Sequence, residues 1–305
     1  MSASPPAAPN DPGTPATLAE AIVHAARALE ARGVDAPRFS AELLAARAFG
    51  LTRLGLILHA KDQPAATGLA AFASLVERRG QGEPVAYLLG EKEFFGLNFR
   101  VTPDVLIPRP ETELLVEEAQ RLFAQDAPLR FADFGTGSGA LAVALAHVFP
   151  AARGLAVDLS APALAIARQN AQANGVAGRL GFLQADFTRL ALASSSLDLL
   201  VSNPPYVTQD EYETLSPEVR AFEPRSALVS AEQGLWHLRG LLPVSAGALR
   251  PGGYLLCELG SGQGRAALEL LAGAAPGFDQ GEILKDYAGL DRVLLARRNS
   301  QKCLA

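Results

Sequence analysis

Apolar positions along the first third of the chain recur at helical intervals. Thr17 and Glu20 have capping-box spacing, and Leu18, Ile22, Ala25, Ala26 and Leu29 follow on one face until Gly33 stops the pattern. Similar stripes run from Pro37 to Phe49, around Thr52 to Leu58, and from Gly68 to Arg79, each closed by Gly, Pro or polar residues. Residues 16–85 therefore read as a small helical bundle. The period changes at Glu93 to Val101, where Leu97, Phe99 and Val101 alternate with polar residues and Gly96 and Asn98 supply turn chemistry. That stretch, within 86–110, predicts a hairpin or an extended linker. In Ile107-Pro108-Arg109-Pro110-Glu111-Thr112-Glu113 two prolines force extended backbone and acids then open a helix, well placed against its dipole.

Beyond residue 111 strands and helices take turns. Strands are predicted at 129–134, 153–159, 180–185, 197–202 and 253–259, and helices at 140–149, 161–173 and around 233–249. This alternation indicates a mostly parallel sheet covered on both faces, and hence an α/β domain over 111–298. Two more strand-like runs, 278–285 and 291–297, flank Ala288-Gly289 and predict a terminal hairpin that gives the sheet an antiparallel edge. Residues 1–15, rich in Pro, Ala and Ser, and 299–305 read as tails.

Composition narrows the function classes. Of 305 residues, 49% are apolar and 19% charged, ample for buried cores. The net charge of -5 offers no general attraction for phosphate backbones, so nucleic acid is not the expected partner. Cys257 and Cys303 lack the spacing of a disulfide framework or a zinc site, which fits a reducing cytoplasm, and no metal is expected. The start lacks a signal peptide's basic and apolar regions, and no run reaches the ~20 apolar residues a membrane helix needs, so no membrane role is expected. His24, His59, His147 and His237 are scattered and are given no chemistry.

Candidate chemistry collects at the carboxyl ends of the strands. Phe131-Ala132-Asp133-Phe134-Gly135-Thr136-Gly137-Ser138-Gly139 ends a strand and opens a helix, where an open parallel sheet binds nucleotide-like ligands. Asp158, at the end of the next strand and roughly 20 residues on, can accept both hydroxyls of a ribose, or simply cap the helix before Pro162. A dinucleotide site uses the same places, but the alternate spacing of Gly135, Gly137 and Gly139 differs from its G-x-G-x-x-G order. Such a turn suits S-adenosylmethionine, which has no pyrophosphate to cradle. Asp186 and Phe187, after the third strand, are alternative contacts for an adenine ring.

Ser202-Asn203-Pro204-Pro205-Tyr206 directly follows the apolar strand at 197–201 and is the most specific signal. An amide nitrogen delocalises its lone pair and is a poor nucleophile. The Asn203 side-chain oxygen and the Pro204 carbonyl can each accept an N–H from it, fixing the nitrogen and stabilising the positive charge that develops there. Two prolines stiffen the loop, which aids an in-line methyl transfer, and Tyr206 can pack on a flat substrate group or face a sulfonium. Asn203, Pro204 and Tyr206 are thus the catalytic candidates, and Asn203, Pro204, Pro205 and Tyr206 the substrate-binding ones.

With these residues in hand, the chain resembles the release factor glutamine methyltransferase family, also called HemK or PrmC. The resemblance covers Gly82-Glu83-Pro84 with Tyr87 and Gly90, Phe99-Arg100-Val101, Val105 to Glu113, the glycine turn, Asn203 to Tyr206, Glu223-Pro224-Arg225 and Lys285-Asp286. It implies an N-terminal helical domain that helps recognise a protein substrate, followed by a class I (Rossmann-like) methyltransferase domain. The implied reaction is methylation of the side-chain amide nitrogen of the glutamine in the Gly-Gly-Gln motif of class 1 peptide chain release factors. It also implies cofactor contacts at Gly135, Thr136, Gly137, Ser138, Gly139, Asp158, Phe187 and Asn203. One departure is that Ala227 to Gly234 stands where the family has a glycine-rich turn. Rival readings are an adenine-N6 DNA methyltransferase, which the acidic balance disfavours, and a non-catalytic translation-associated binding protein, which the intact Asn203 to Tyr206 loop disfavours.

Overall fold

The computed structural model describes residues 15–273 and 277–299. The expected tails therefore lie outside the described residues except for Pro15 and Asn299, and so does Cys303. The chain divides into two compact units, Met1–Leu89 and Gly90–Ala305.

Among the described residues five helices make the first unit: α1 (Leu18–Glu30), α2 (Pro37–Phe49), α3 (Arg53–Leu58), α4 (Ala66–Gly80) and α5 (Val85–Leu89). The Thr17/Glu20 capping box forms as the sequence indicates, satisfying backbone N–H groups that the first turn of α1 leaves without partners. Leu18, Ile22, Leu29, Leu44, Leu56 and Phe72 close the core of this unit. The five residues of α5 follow Pro84 and are too short to show a period.

The second unit opens with β1 (Glu91–Phe94) and β2 (Leu97–Arg100), an antiparallel hairpin, rather than an extended linker. Phe94 and Phe99 stack edge to face and are buried in the core of this unit, so the hairpin is part of it. A single 3-10 turn over Pro110–Thr112 then leads into α6 (Glu113–Leu122). The alternating part follows as β3 (Arg130–Phe134), α7 (Ala140–Val148), β4 (Arg153–Asp158), α8 (Ala161–Ala173), β5 (Leu180–Gln184) and β6 (Leu197–Ser202). Two six-residue helices, α9 (Gln209–Thr214) and α10 (Pro217–Phe222), precede α11 (Trp236–Ala248), β7 (Leu249–Glu258), α12 (Gly264–Gly273), β8 (Phe278–Lys285) and β9 (Asp291–Arg298). Helices α5, α9, α10 and α12 were not among the expected elements.

The sheet order is β5-β4-β3-β6-β7-β9-β8. Strands β3 to β7 pair in parallel, and β9 inserts antiparallel between β7 and β8, so the expected antiparallel edge is present. Successive side chains point to opposite faces. Phe131, Leu199, Val201 and Leu256 join α7 and the hairpin on one side, while Ala132, Phe134, Leu200 and Leu255 join α11 and α12 on the other. Helix α7 is apolar almost all round and buried accordingly. Asn170 of α8 bonds the Arg100 backbone both ways (2.7 and 3.0 Å) and donates to the Ser138 carbonyl (2.8 Å), linking the hairpin to the loop after β3. Among the described residues no helix is long and apolar enough to cross a membrane.

The clusters that close the two units have no residue in common. A chain beginning at Gly90 is therefore expected to fold alone, with a cooperative thermal transition by circular dichroism. A broad, non-cooperative melt would show that the second unit needs the first.

Candidate active site

Strand order reverses between β3 and β6, and the chain leaves these neighbours toward opposite sides of the sheet. A crevice must open at their carboxyl ends, as in other open α/β sheets. It holds a cavity of about 550 Å3 bordered by Gly135, Gly137, Asp158, Asp186, Phe187, Asn203 and Pro205, among others.

On the β3 side the backbone itself forms the wall. Gly135, Gly137 and Gly139 all have positive φ (73°, 53° and 81°), a region that L side chains rarely enter. The Gly135 and Thr136 N–H groups both donate to the Val157 carbonyl (2.9 and 3.0 Å), pulling the turn onto β4. At Gly139 an added Cβ would sit 3.0 Å from Ala167 Cβ, so this glycine lets α7 and α8 approach. Thr136 and Ser138 are buried, and neither they nor Gly139 border the cavity.

Two carboxylates brace the turn. Asp133 is fully buried; its Oδ2 accepts from Thr136 Oγ1 (2.6 Å) and from the Ala142 N–H (3.1 Å), and its Oδ1 has no hydrogen-bond partner. Burial pushes its pKa up to about 7, against the two bonds that favour the charged form. Asp158 faces the cavity, accepting from the Gly137 N–H and the Ser160 N–H at 2.8 Å each. Burial also raises its pKa. A carboxylate has about four acceptor positions, so Asp158 retains capacity for hydroxyl donors.

On the β6 side, Ser202 Oγ donates to the Phe134 carbonyl (2.7 Å) and ties the two strand ends together. Asn203 Nδ2 donates to Thr112 Oγ1 (3.0 Å), and Thr112 Oγ1 donates to Glu258 Oε2 (2.6 Å). Tyr206 OH donates to Glu258 Oε1 (3.1 Å). Burial raises the pKa of Glu258 to about 7, and burial beside that carboxylate pushes the Tyr206 phenol up as well. Pro204 is buried, Pro205 borders the main cavity, and Tyr206 borders a neighbouring pocket of about 510 Å3 instead.

The remaining walls come from farther along the chain. Phe187 stacks on Phe134 with ring centroids 5.7 Å apart. Asp186 borders the cavity too, with Oδ1 engaged by the backbone N–H and hydroxyl of Thr188 (3.0 and 2.6 Å). Residues 103–106, with Pro224, Ser226 and Ala227, contribute another wall. The buried Glu223 clamps these two segments, pairing with Arg109 at 2.6 Å and accepting from the Ile107 N–H at 3.2 Å. Within the stretch from Ala227 to Gly234, Glu232, Gln233 and Gly234 adopt positive φ in succession (52°, 57° and 83°). A Cβ at Gly234 would collide with the Tyr206 carbonyl.

Comparison with known proteins gives two family matches: the PrmC N-terminal domain over residues 20–90 and a methyltransferase domain over 131–222. The release factor glutamine methyltransferase of Nitratidesulfovibrio vulgaris is 48% identical over 93% of this chain and 96% of its own length. The protein of the same name from Moorella thermoacetica is 44% identical over 93% of this chain and all of its own. The chain belongs to the release factor glutamine methyltransferase family. Among solved structures, the catalytic domain of hMettl16 in complex with MAT2A 3'UTR hairpin 6 superposes with a TM-score of 0.55 over 76% of this chain and 84% of that one, at 16% identity, a likeness of fold. Family and fold agree on a class I methyltransferase.

Several bordering residues of this release factor glutamine methyltransferase homologue carry no sequence signal. His237 lies at the start of α11, with Nδ1 2.8 Å from Ser230 Oγ and a hydrogen bond to the Pro205 backbone; burial lowers its pKa and keeps the ring neutral. It borders the cavity beside Trp236. Glu258 had a readable sign, an acid ending the apolar run Leu255-Leu256-Cys257 on the same sheet edge. Thr112 was visible only as part of a helix start. Among the described residues no group of three or more His, Cys, Asp or Glu is placed to hold a metal ion.

Asp133 links the site to stability. Its folded pKa of about 7 lies above its ordinary 3.8, so between about pH 4 and pH 7 the folded state holds a proton that the unfolded chain has released. Stability from this group is present at the acid end of that window and lost as pH rises through it. Asp133→Asn removes the titration, so its Tm relative to the parent should rise from pH 5 to pH 8. The change should be several degrees, because one pKa unit is about 1.4 kcal/mol and each kcal/mol is roughly 2–4 °C in a domain of this size. A Tm difference that is constant with pH in calorimetry would rule out the raised pKa.

Proposed function

We propose that the chain methylates, in the cytoplasm, the side-chain amide nitrogen of the glutamine in the Gly-Gly-Gln motif of class 1 peptide chain release factors, using S-adenosylmethionine. The observation that carries this reading is that Asn203 borders the same cavity as Gly135, Gly137 and Asp158. The residues proposed for the donor and the one proposed to hold the nitrogen thus share one cavity. The names of the curated relatives support the protein substrate, and the helical unit that matches the PrmC N-terminal domain is the proposed grip on that substrate.

The residues present fit the methyl donor. About 550 Å3 is within the range of small-molecule sites. A Cβ at Gly137 would meet no atom within 4 Å and would project into open space, so its absence enlarges the cradle. Asp158 would hold the ribose hydroxyls, the glycine turn would lie along the amino-acid part, and Phe187 would border the adenine. When bound, S-adenosylmethionine supplies an electrophilic methyl group on a sulfonium.

The chain's own task is to prepare the nucleophile. Asn203 Oδ1 and the Pro204 carbonyl accept the two N–H bonds of the substrate amide, which aims the nitrogen and offsets the positive charge that grows on it. Pro204 and Pro205 restrict the loop, so little orientational freedom is lost at the moment of reaction. Neutral His237, bonded to the Pro205 backbone, supports the loop from α11. The proton that the nitrogen sheds after alkylation leaves to solvent.

Asp158→Ala is expected to weaken cofactor affinity by about tenfold to a hundredfold, the equivalent of roughly 1.5–3 kcal/mol for hydrogen bonds to a charged acceptor. Titration calorimetry with S-adenosylmethionine reads this directly, and unchanged affinity would remove Asp158 from the site. Asn203→Ala should lower single-turnover methylation by about 100-fold or more at saturating S-adenosylmethionine. Mass spectrometry of the Gly-Gly-Gln peptide, with DNA as the competing acceptor, tests the reaction itself. A methylated adenine with an unmodified glutamine would overturn the reading.

A further inference from the structure

We propose that Thr112 and Glu258 are positioning residues that decide which end of the Asn203 amide meets the substrate. This inference rests on the reading of Asn203 as a hydrogen-bond acceptor for the substrate nitrogen.

The two ends of an Asn side chain have nearly the same shape and opposite chemistry. Rotated by half a turn, the Asn203 amide would present N–H groups to an incoming NH2, and the acceptor would be lost. Proline stiffness in the backbone does not prevent that rotation. The surrounding bonds do. In its ionised form, which the donors on both of its oxygens favour, the Glu258 carboxylate has no proton to give, so the Thr112 hydroxyl, 2.6 Å from Glu258 Oε2, spends its single hydrogen there. What remains on Thr112 Oγ1 is lone pairs, and the Asn203 atom 3.0 Å away must be the one that carries hydrogen. Nδ2 is thereby committed inward, and Oδ1 is the amide atom left for the cavity that Asn203 borders.

Amide, hydroxyl and carboxylate form a one-way series in which Asn203 donates to Thr112 and Thr112 donates to Glu258. Thr112 and Glu258 are 5% and 1% exposed, so solvent does not compete for these bonds, and each strengthens the next. Glu258 is itself fixed, because Tyr206 OH occupies its other oxygen at 3.1 Å. Thr112 is set by the 3-10 turn over Pro110–Thr112, where its N–H donates to the Arg109 carbonyl (3.1 Å). The proline-rich entry to α6 thus reaches the loop after β6 through a single hydroxyl.

Thr112→Val keeps the shape and removes the hydroxyl; Thr112→Ser keeps the hydroxyl and removes a methyl. Glu258→Gln keeps size and can offer Thr112 a donor, which frees its hydrogen and permits the rotated amide. With release factor as substrate, Thr112→Val and Glu258→Gln are expected to lower kcat by about tenfold to a hundredfold. KM for release factor and affinity for S-adenosylmethionine should stay within about threefold, and Thr112→Ser should restore most of kcat. An independent readout needs no substrate: the Asn203 side-chain N–H signals in nitrogen-15 spectra should exchange slowly in the parent and in Thr112→Ser and quickly in Thr112→Val. Parent-like kcat in both Thr112→Val and Glu258→Gln would overturn the proposal, as would Thr112→Ser failing as badly as Thr112→Val, which would indicate space filling. If the parent protein methylates no release factor, the functional reading fails by itself. The exchange rates still decide the positioning role, and equal rates in parent and Thr112→Val would end it.

Discussion

The parallel pairing of β3 with β6 is the constraint from which the site follows. These strands are neighbours, with Phe134 beside Ser202, yet the sheet grows outward from them in opposite directions. Their carboxyl ends therefore release two loops that diverge and cannot fill the space between them. One loop is the glycine turn and the other is Asn203 to Tyr206. The Ser202 to Phe134 hydrogen bond keeps these two ends in register, so any ligand in the crevice meets both walls at a fixed separation.

Holding that edge together requires polar groups where water is absent. Asp133 and Glu258 are each at most 1% exposed, and an isolated carboxylate there would be costly. Different means offset the cost. Glu258 receives a donor on each oxygen, whereas Asp133 has donors on Oδ2 alone. Both have pKa values raised to about 7, the mark of burial that the hydrogen bonds offset only partly. Replacing these acids with apolar residues would relieve the burial. It would also release the glycine turn and Thr112, so local stability is given up for the shape of the site, as active sites commonly require.

Much of the framework was legible because the signals were long or chemically distinct. The stripe in α1 with its capping box, the apolar strands and the Asn-Pro-Pro-Tyr loop each carry several agreeing residues. The ten-residue α12 was missed despite its length, whereas the missed α5, α9 and α10 are five or six residues long, less than two turns, and α9 and α10 are separated only by Leu215 and Ser216 before Pro217. Periodicity cannot register over such lengths. In the site, the glycine turn and Asn203 could be placed on one sheet edge from their positions after strands. Nothing in the sequence says which way a side chain turns once there. Tyr206 was expected to meet a flat substrate group or a sulfonium, and its hydroxyl lies on Glu258, beside a different pocket.

That orientation explains why partners of Asn203 were invisible. Thr112 stands 91 positions before Asn203 and Glu258 stands 146 after Thr112, so no local spacing connects them. In sequence Thr112 lies between two acids at a helix start, an unremarkable residue among helix-capping types. Only after β7 is laid beside β6 does the acid at its end come under the hydroxyl. A motif therefore states which chemical groups are present, while the fold states which lone pairs are free. For an amide whose two ends differ only in the sense of their hydrogen bonds, the second statement is the one on which the proposed chemistry depends.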